Sequence, residues 1–184
     1  MPTAAPERRS NAARLFGYDV FVSFALGPPP RGSRSYASDL ARRLRERDFT
    51  VFFSEEEAPV GDQLDATLRH ALHRSRILVV IANSGMLAEP RWVKAEVEEF
   101  RRKHPERSVI PISIGNALQH PTLGPGAEPW LRFSDKIWID ETPSACDEGV
   151  VSDSVLERLV TAPNAMRSRT RWRWTVPRSR FCPS

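Results

Sequence analysis

Apolar residues occur along this chain in short runs that have the length and composition of β-strands. Val20 to Val22 and Ile77 to Ala82 are uninterrupted apolar runs, which are typical of strands buried on both faces of a sheet. Polar or turn-forming residues bound each run. The predicted strands are Tyr18 to Phe24, Phe49 to Phe53, Ile77 to Ala82, Val109 to Ile114 and Lys136 to Asp140.

Between these strands, apolar residues return at the spacing of an amphipathic helix. Tyr36, Leu40 and Leu44 follow one another at every fourth position, after a serine suited to cap a helix. The stretch 115 to 129 is rich in proline and glycine and is predicted to be a long loop. The other predicted helices are centred on Leu64 to Leu72, Arg91 to Phe100 and Ser152 to Val160.

The alternation of strand and helix predicts an α/β fold built from right-handed βαβ units. We expect a flavodoxin-like parallel five-stranded sheet, order 2-1-3-4-5, with helices on both faces. Ligands of such sheets bind at the carboxyl ends of the strands. That edge contains Ser23 and Phe24, the loop after Phe53, the residues after Ala82 and the first turn of the helix that begins near Arg91.

One acidic residue lies on the apolar side of a predicted helix. With about 100° per residue and Trp92 as the origin, Glu96 falls at about 40°, Phe100 at about 80° and Val97 at about 140°. Glu98 falls at about 240°, on the opposite side. An unpaired buried charge costs several kcal/mol. The pattern therefore leaves two interpretations of Glu96: a structural acid paired with an arginine, or a carboxylate open to a cleft.

Length and composition predict one folded domain, residues 16–162, after a disordered lead at residues 1–15. Residues 163–184 form a basic tail in which arginine alternates with tryptophan, which we interpret as disordered or as the stump of a further region rather than as a binding segment. The net charge of +4 includes six arginines after residue 162, so residues 1 to 162 carry −2. This balance gives no strong case for nucleic-acid binding.

The sequence lacks the motifs of several common nucleotide-binding, hydrolase and metal sites, and it lacks the segments that direct a protein to or across a membrane. The sequence has no G-x-G-x-x-G opening a helix, no P-loop and no G-x-S-x-G elbow. Asn83 follows the third strand where a receiver domain needs an aspartate. His70 and His73 have no apparent third metal ligand, and Cys146 and Cys182 lack metal-site spacing, so no metal site is predicted. Without a signal peptide or an apolar run of membrane-spanning length, a cytoplasmic protein is expected.

Four of these segments together resemble the TIR (Toll/interleukin-1 receptor) domain, in its prokaryotic type, over residues 18 to 160. The first strand resembles the first TIR sequence box, and the third strand with Asn83 and Ser84 resembles a second signature. Trp92 precedes Glu96 by four residues, and this spacing of tryptophan and glutamate resembles that of the family. Pro59, Val60 and Gly61 resemble the Pro and Gly turn of the BB loop, through which TIR domains are expected by this resemblance to stack.

The chain departs from the family pattern at two points. Ser54 stands where an acidic residue commonly follows the second strand, and Val93 replaces the cysteine that follows the tryptophan in many members. These changes do not affect the expected fold. They bear on which signalling partners the domain has.

The resemblance implies one of two functions. The first is an NAD+ glycohydrolase, activated by self-association and acting as an immune or cell-death effector, in which Glu96 is catalytic. The second is a non-enzymatic TIR interaction module in signalling. In the enzyme, NAD+ is a substrate and no cofactor is needed. The expected substrate-binding residues are then Ser23 and Phe24, which lie at the end of the first strand, and Trp92, on which a ring of the substrate can stack. Other TIR domains are further expected partners.

Overall fold

The computed structural model describes residues 17–53, 66–134 and 138–162. Its centre is an all-parallel sheet of five strands in the order β2-β1-β3-β4-β5. This is the flavodoxin-like order predicted from the alternation of strands and helices. The strands are β1 (Tyr18–Ser23), β2 (Val51–Phe52), β3 (Ser75–Ala82), β4 (Val109–Ile114) and β5 (Ile139–Glu141).

Helices cover both faces of the sheet. None in the described ranges is long and apolar enough to cross a membrane. The helices are α1 (Arg34–Glu46), α2 (Ala66–His73), α3 (Ser84–Ala88), α4 (Arg91–Lys103), α5 (Leu123–Leu131), α6 (Pro143–Glu148) and α7 (Asp153–Thr161), with a 3-10 turn at Ala117–Gln119.

The alternation of side chains along β1 separates the two halves of the core. Val20 and Val22 point to one face, where they pack with α1, α6 and α7. Phe21 points to the other face and packs with α2, α3, α4 and α5. Because successive strand residues face opposite sides, Ser23 follows Phe21 onto the face covered by α4.

The predicted loop over residues 115 to 129 is wrong, because a 3-10 turn and α5 lie there. Pro125 is the third residue of α5, within the first turn, where a backbone N–H has no partner in the helix. Pro129 costs α5 one internal hydrogen bond. Burial of Trp130 and Leu131 in the core offsets that cost, so packing overrides a composition that is typical of loops.

The close approach of α5 to the preceding turn explains one of its glycines. A side chain at Gly124 would place its Cβ 2.2 Å from the carbonyl oxygen of Leu118. The glycine is therefore needed for packing at a position where sequence composition alone suggests a flexible segment.

Candidate active site

Glu96 lies in the middle of α4, on the side of the helix that faces the sheet. Val93, Val97 and Phe100 of the same helix are buried, and they anchor it against β3 and α2. Glu96 itself is partly buried, as is Trp92 one turn earlier on the same face. The placement of an acid within the apolar face, predicted from the helical angles, is therefore confirmed.

The carboxylate of Glu96 meets the carboxyl end of β1. Ser23, the last residue of that strand, is only 1% exposed, and its hydroxyl donates a hydrogen bond to Oε2 of Glu96. The two residues are 73 positions apart in the chain. The fold thus joins a strand end and a helix face at the edge where ligands of parallel sheets bind.

The surroundings of Glu96 favour its neutral form. Burial raises the pKa of Glu96 to about 7, although the hydrogen bond from Ser23 opposes this shift. Within the described part of the chain, no ion pair involves Glu96. The interpretation of Glu96 as an acid paired with an arginine therefore finds no support among these residues.

Phe24 follows Ser23 but lies on the other face of the sheet. Its ring stacks on that of Phe53, which follows β2, with ring centroids 5.1 Å apart and planes 11° from parallel. Both rings pack against the core on the α1 side. Phe24 and Ser23 thus share the carboxyl edge of the sheet but extend to opposite faces.

Asn83, directly after β3, ties this edge together. Its side chain accepts a hydrogen bond from the backbone N–H of Met86 at 2.8 Å, which caps α3, and donates one to the carbonyl of Gly32 at 3.0 Å. A Cβ on Gly85 would lie 2.4 Å from the carbonyl oxygen of Pro30. The end of β3 and the loop after β1 are thereby held in close contact.

The remaining candidate residues lie away from this centre or outside the described residues. Pro59, Val60 and Gly61 belong to the second group, so their place in the BB loop stays a prediction. His73 contacts Glu99 at 2.5 Å between Nε2 and Oε1. The described residues contain no group of three potential ligands able to hold a metal ion.

A second acid at the carboxyl edge, more deeply buried than Glu96, was missed by sequence reasoning. Glu141 ends β5, is 7% exposed, and accepts hydrogen bonds from the hydroxyl of Tyr36 and the backbone N–H groups of Thr142 and Ser152. The sequence gives no local signal for it, because Glu141 follows the acid Asp140, where the predicted strand ends, and its partner Tyr36 lies 105 positions away.

Comparison with known proteins agrees with this architecture. The family model of the TIR domain matches residues 20–149. The TIR domains in a structure of the activated Roq1 resistosome directly recognizing the pathogen effector XopQ share the fold, with a TM-score of 0.54 and 18% sequence identity. That match covers 78% of this chain and 100% of the other.

A curated relative is the NAD(+) hydrolase TcpA of Theionarchaea archaeon (strain DG-70-1), which is 25% identical over 115 residues. The match covers 61% of this chain and 33% of the relative, so the chain spans about a third of that protein's length. The family match extends over most of the described residues and includes both Ser23 and Glu96. This chain therefore belongs to the TIR domain family.

Proposed function

We propose that this TIR domain is an NAD+ glycohydrolase that cleaves the bond between nicotinamide and ribose, with Glu96 as its catalytic carboxylate. The observation that carries this proposal is a partly buried acid at the carboxyl edge of the sheet, without an ion-pair partner among the described residues. The name of the curated relative supports the choice of NAD+ as substrate.

The reaction suits a single carboxylate. As the bond breaks, its electron pair goes to the cationic ring nitrogen, and nicotinamide leaves as a neutral molecule that needs no proton. Positive charge develops on the ribose, where the Glu96 carboxylate stabilises it electrostatically or holds the ribose hydroxyls. Water then adds to the ribose and releases one proton, giving ADP-ribose.

The aromatic residues at the edge supply surfaces on which the rings of NAD+ can stack. Trp92 lies one helical turn before Glu96 and is only partly buried. Phe24, at the same edge but on the α1 side of the sheet, is likewise only partly buried. In this proposal both residues bind substrate, and neither takes part in bond cleavage.

The test is nicotinamide release from NAD+ by the purified protein and by Glu96→Ala. We expect the substitution to lower the rate of cleavage by about 10²-fold or more, because it removes a charge that acts mainly on the transition state. Glu99→Ala is the matched control, since Glu99 lies on the same helix but pairs with His73 and Arg102. Equal activity of wild type and Glu96→Ala would refute the assignment.

Self-association is the second part of the proposal. In it, the loop 54–61, with Pro59, Val60 and Gly61, completes the pocket of a neighbouring copy in a head-to-tail contact. Three consecutive glutamates in this loop repel their own kind, so the protein is expected to be monomeric and weakly active when dilute. In the same assay, activity per molecule then rises with protein concentration and falls in Gly61→Pro.

Two outcomes of this assay decide against the proposal. A constant specific activity from nanomolar to tens of micromolar protein, with a monomeric sedimentation profile, would indicate a self-contained site. A folded protein that releases no nicotinamide at any concentration would favour the non-enzymatic TIR interaction module.

For the active enzyme we propose a cytoplasmic location and a role as an immune or cell-death effector, because consumption of NAD+ would harm the cell that contains it.

A further inference from the structure

Ser23 occupies a position where its hydroxyl has one available partner. It ends β1, is 1% exposed, and lies opposite Val80 of β3 in the sheet register. Phe21, two residues earlier on the same face, packs among apolar side chains of the core. A polar group in such surroundings has to be hydrogen-bonded, and here Glu96 accepts that bond.

The hydrogen bond leaves Ser23 little capacity to bind a ligand directly. A serine hydroxyl has one proton, and Ser23 donates it to Oε2 of Glu96. With 1% exposure, the side chain also offers almost no surface to a substrate. Glu96, by contrast, is only partly buried, so the residue is not closed off from a ligand while it accepts the bond from Ser23.

We propose that Ser23 is a positioning residue that keeps the Glu96 carboxylate charged and holds it in the orientation needed for reaction. This role replaces the direct contact with substrate that was predicted for Ser23 from its place in the sheet. This inference rests on the proposed NAD+ cleavage. A hydrogen bond donated to a carboxylate stabilises its charged form and restricts its rotation. Ser23 therefore acts on the reaction through Glu96.

Ser23 is well placed to control the charge of Glu96, because several charged groups on α4 and on the elements packed against it contact groups other than Glu96, while Arg91 and Lys103 of α4 are exposed to solvent. Ser23 is also the one hydrogen-bond partner of the Glu96 side chain among the described residues. The other contacts are Lys94 with Glu98, Glu99 with His73 and Arg102, Asp19 with Arg76, Arg101 with the carbonyl of Leu131, and Glu128 with the N–H groups of Phe133 and Ser134.

The experiment compares wild type, Ser23→Ala and Ser23→Thr by the pH dependence of NAD+ cleavage. Ser23→Ala removes the donor, so the pH at which activity reaches half its maximum should rise by about one unit. At pH 7, kcat should fall about fivefold while KM stays within about twofold, because the charged fraction of Glu96 drops from about one half to about one tenth. Ser23→Thr keeps the hydroxyl and should restore the wild-type profile.

Ser113→Ala is the matched control. Ser113 is a fully buried serine of β4, and its hydroxyl accepts a hydrogen bond from the backbone N–H of Leu118 rather than contacting Glu96. Its removal should leave the pH profile unchanged. If Ser23→Ala fails to fold, Ser23→Cys takes its place, since the thiol is similar in size and a much weaker donor.

Two results would overturn the role of Ser23. One is a pH profile of Ser23→Ala that coincides with wild type, and the other is a raised KM with unchanged kcat, which would indicate direct substrate binding. A ¹³C NMR titration of the Glu96 carboxyl group gives a readout that needs no catalysis. If the wild type cleaves no NAD+, the proposed function fails, and the titration midpoint still decides whether Ser23 controls the charge of Glu96.

Discussion

Two glutamates at the same edge of the sheet are held in opposite ways. Glu141, at the end of β5, accepts three hydrogen bonds, and both of its carboxylate oxygens are used. Glu96, beside the end of β1, accepts one, and burial raises its pKa to about 7. A carboxylate whose lone pairs are satisfied by the fold serves stability, whereas one that is left short of partners is available for chemistry.

The same substitution, glutamate to glutamine, separates the two roles, and its largest effect is expected at Glu141. Both oxygens of Glu141 accept hydrogen bonds, so an amide would turn an NH2 group toward a donor. We expect Glu141→Gln to lower the free energy of unfolding by about 2–3 kcal/mol. Thermal melting should show a midpoint about 5–10 °C lower. An unchanged midpoint would show that this network does not stabilise the fold.

At Glu96 the same change should stabilise the protein at high pH. The pKa of Glu96 is about 7 in the folded state against 4.5 for an ordinary glutamate, so between these values the folded state holds a proton that the unfolded state has released. Stability therefore falls as pH rises through this window. Glu96→Gln carries no such charge and keeps an oxygen that can accept from Ser23.

We expect Glu96→Gln to be more stable than wild type by about 1–3 kcal/mol at pH 8, with the difference vanishing below about pH 4.5. Urea unfolding of both proteins at several pH values measures it. A Glu96→Gln protein that is less stable at pH 8 would mean that the carboxylate has a stabilising partner. Stabilisation together with lost NAD+ cleavage would show that the domain keeps a costly charge for its function.

The elements with strong apolar patterns were predictable from sequence. β3 is a continuous apolar run, and the helical angles of α4 place Glu96 among buried residues, because both patterns depend only on local spacing. The strand order followed from the alternation of elements, and it brings Ser23 to the edge that also receives Glu96. The sequence therefore predicts most of the fold and the two ends of the Ser23–Glu96 contact.

The rest depends on tertiary contacts that local spacing does not contain. The helix α5 forms in a Pro- and Gly-rich stretch because its apolar residues pack on α4 and the sheet. Glu141 follows another acid, Asp140, in a strand of three residues, and its partner Tyr36 is 105 positions away. Nothing near Glu141 in sequence distinguishes it from a solvated acid, so its network is known only from the structure.

The smallest effect in this comparison is expected for Tyr36→Phe. Burial, together with the neighbouring Glu141, raises the pKa of Tyr36 well above its usual range, so its hydroxyl stays a donor at all relevant pH values. Phenylalanine fills the same buried space and removes one of three hydrogen bonds to Glu141, which should cost about 1 kcal/mol.

Urea unfolding of Tyr36→Phe, Glu141→Gln and the double variant gives the coupling between the two residues. Because these residues share one network, the double variant should lose less stability than the sum of the single losses, while NAD+ cleavage by Tyr36→Phe should match wild type. Strict additivity would show that the hydroxyl does not contribute through Glu141, and a loss of activity would mean that the two acids at this edge are linked rather than separate.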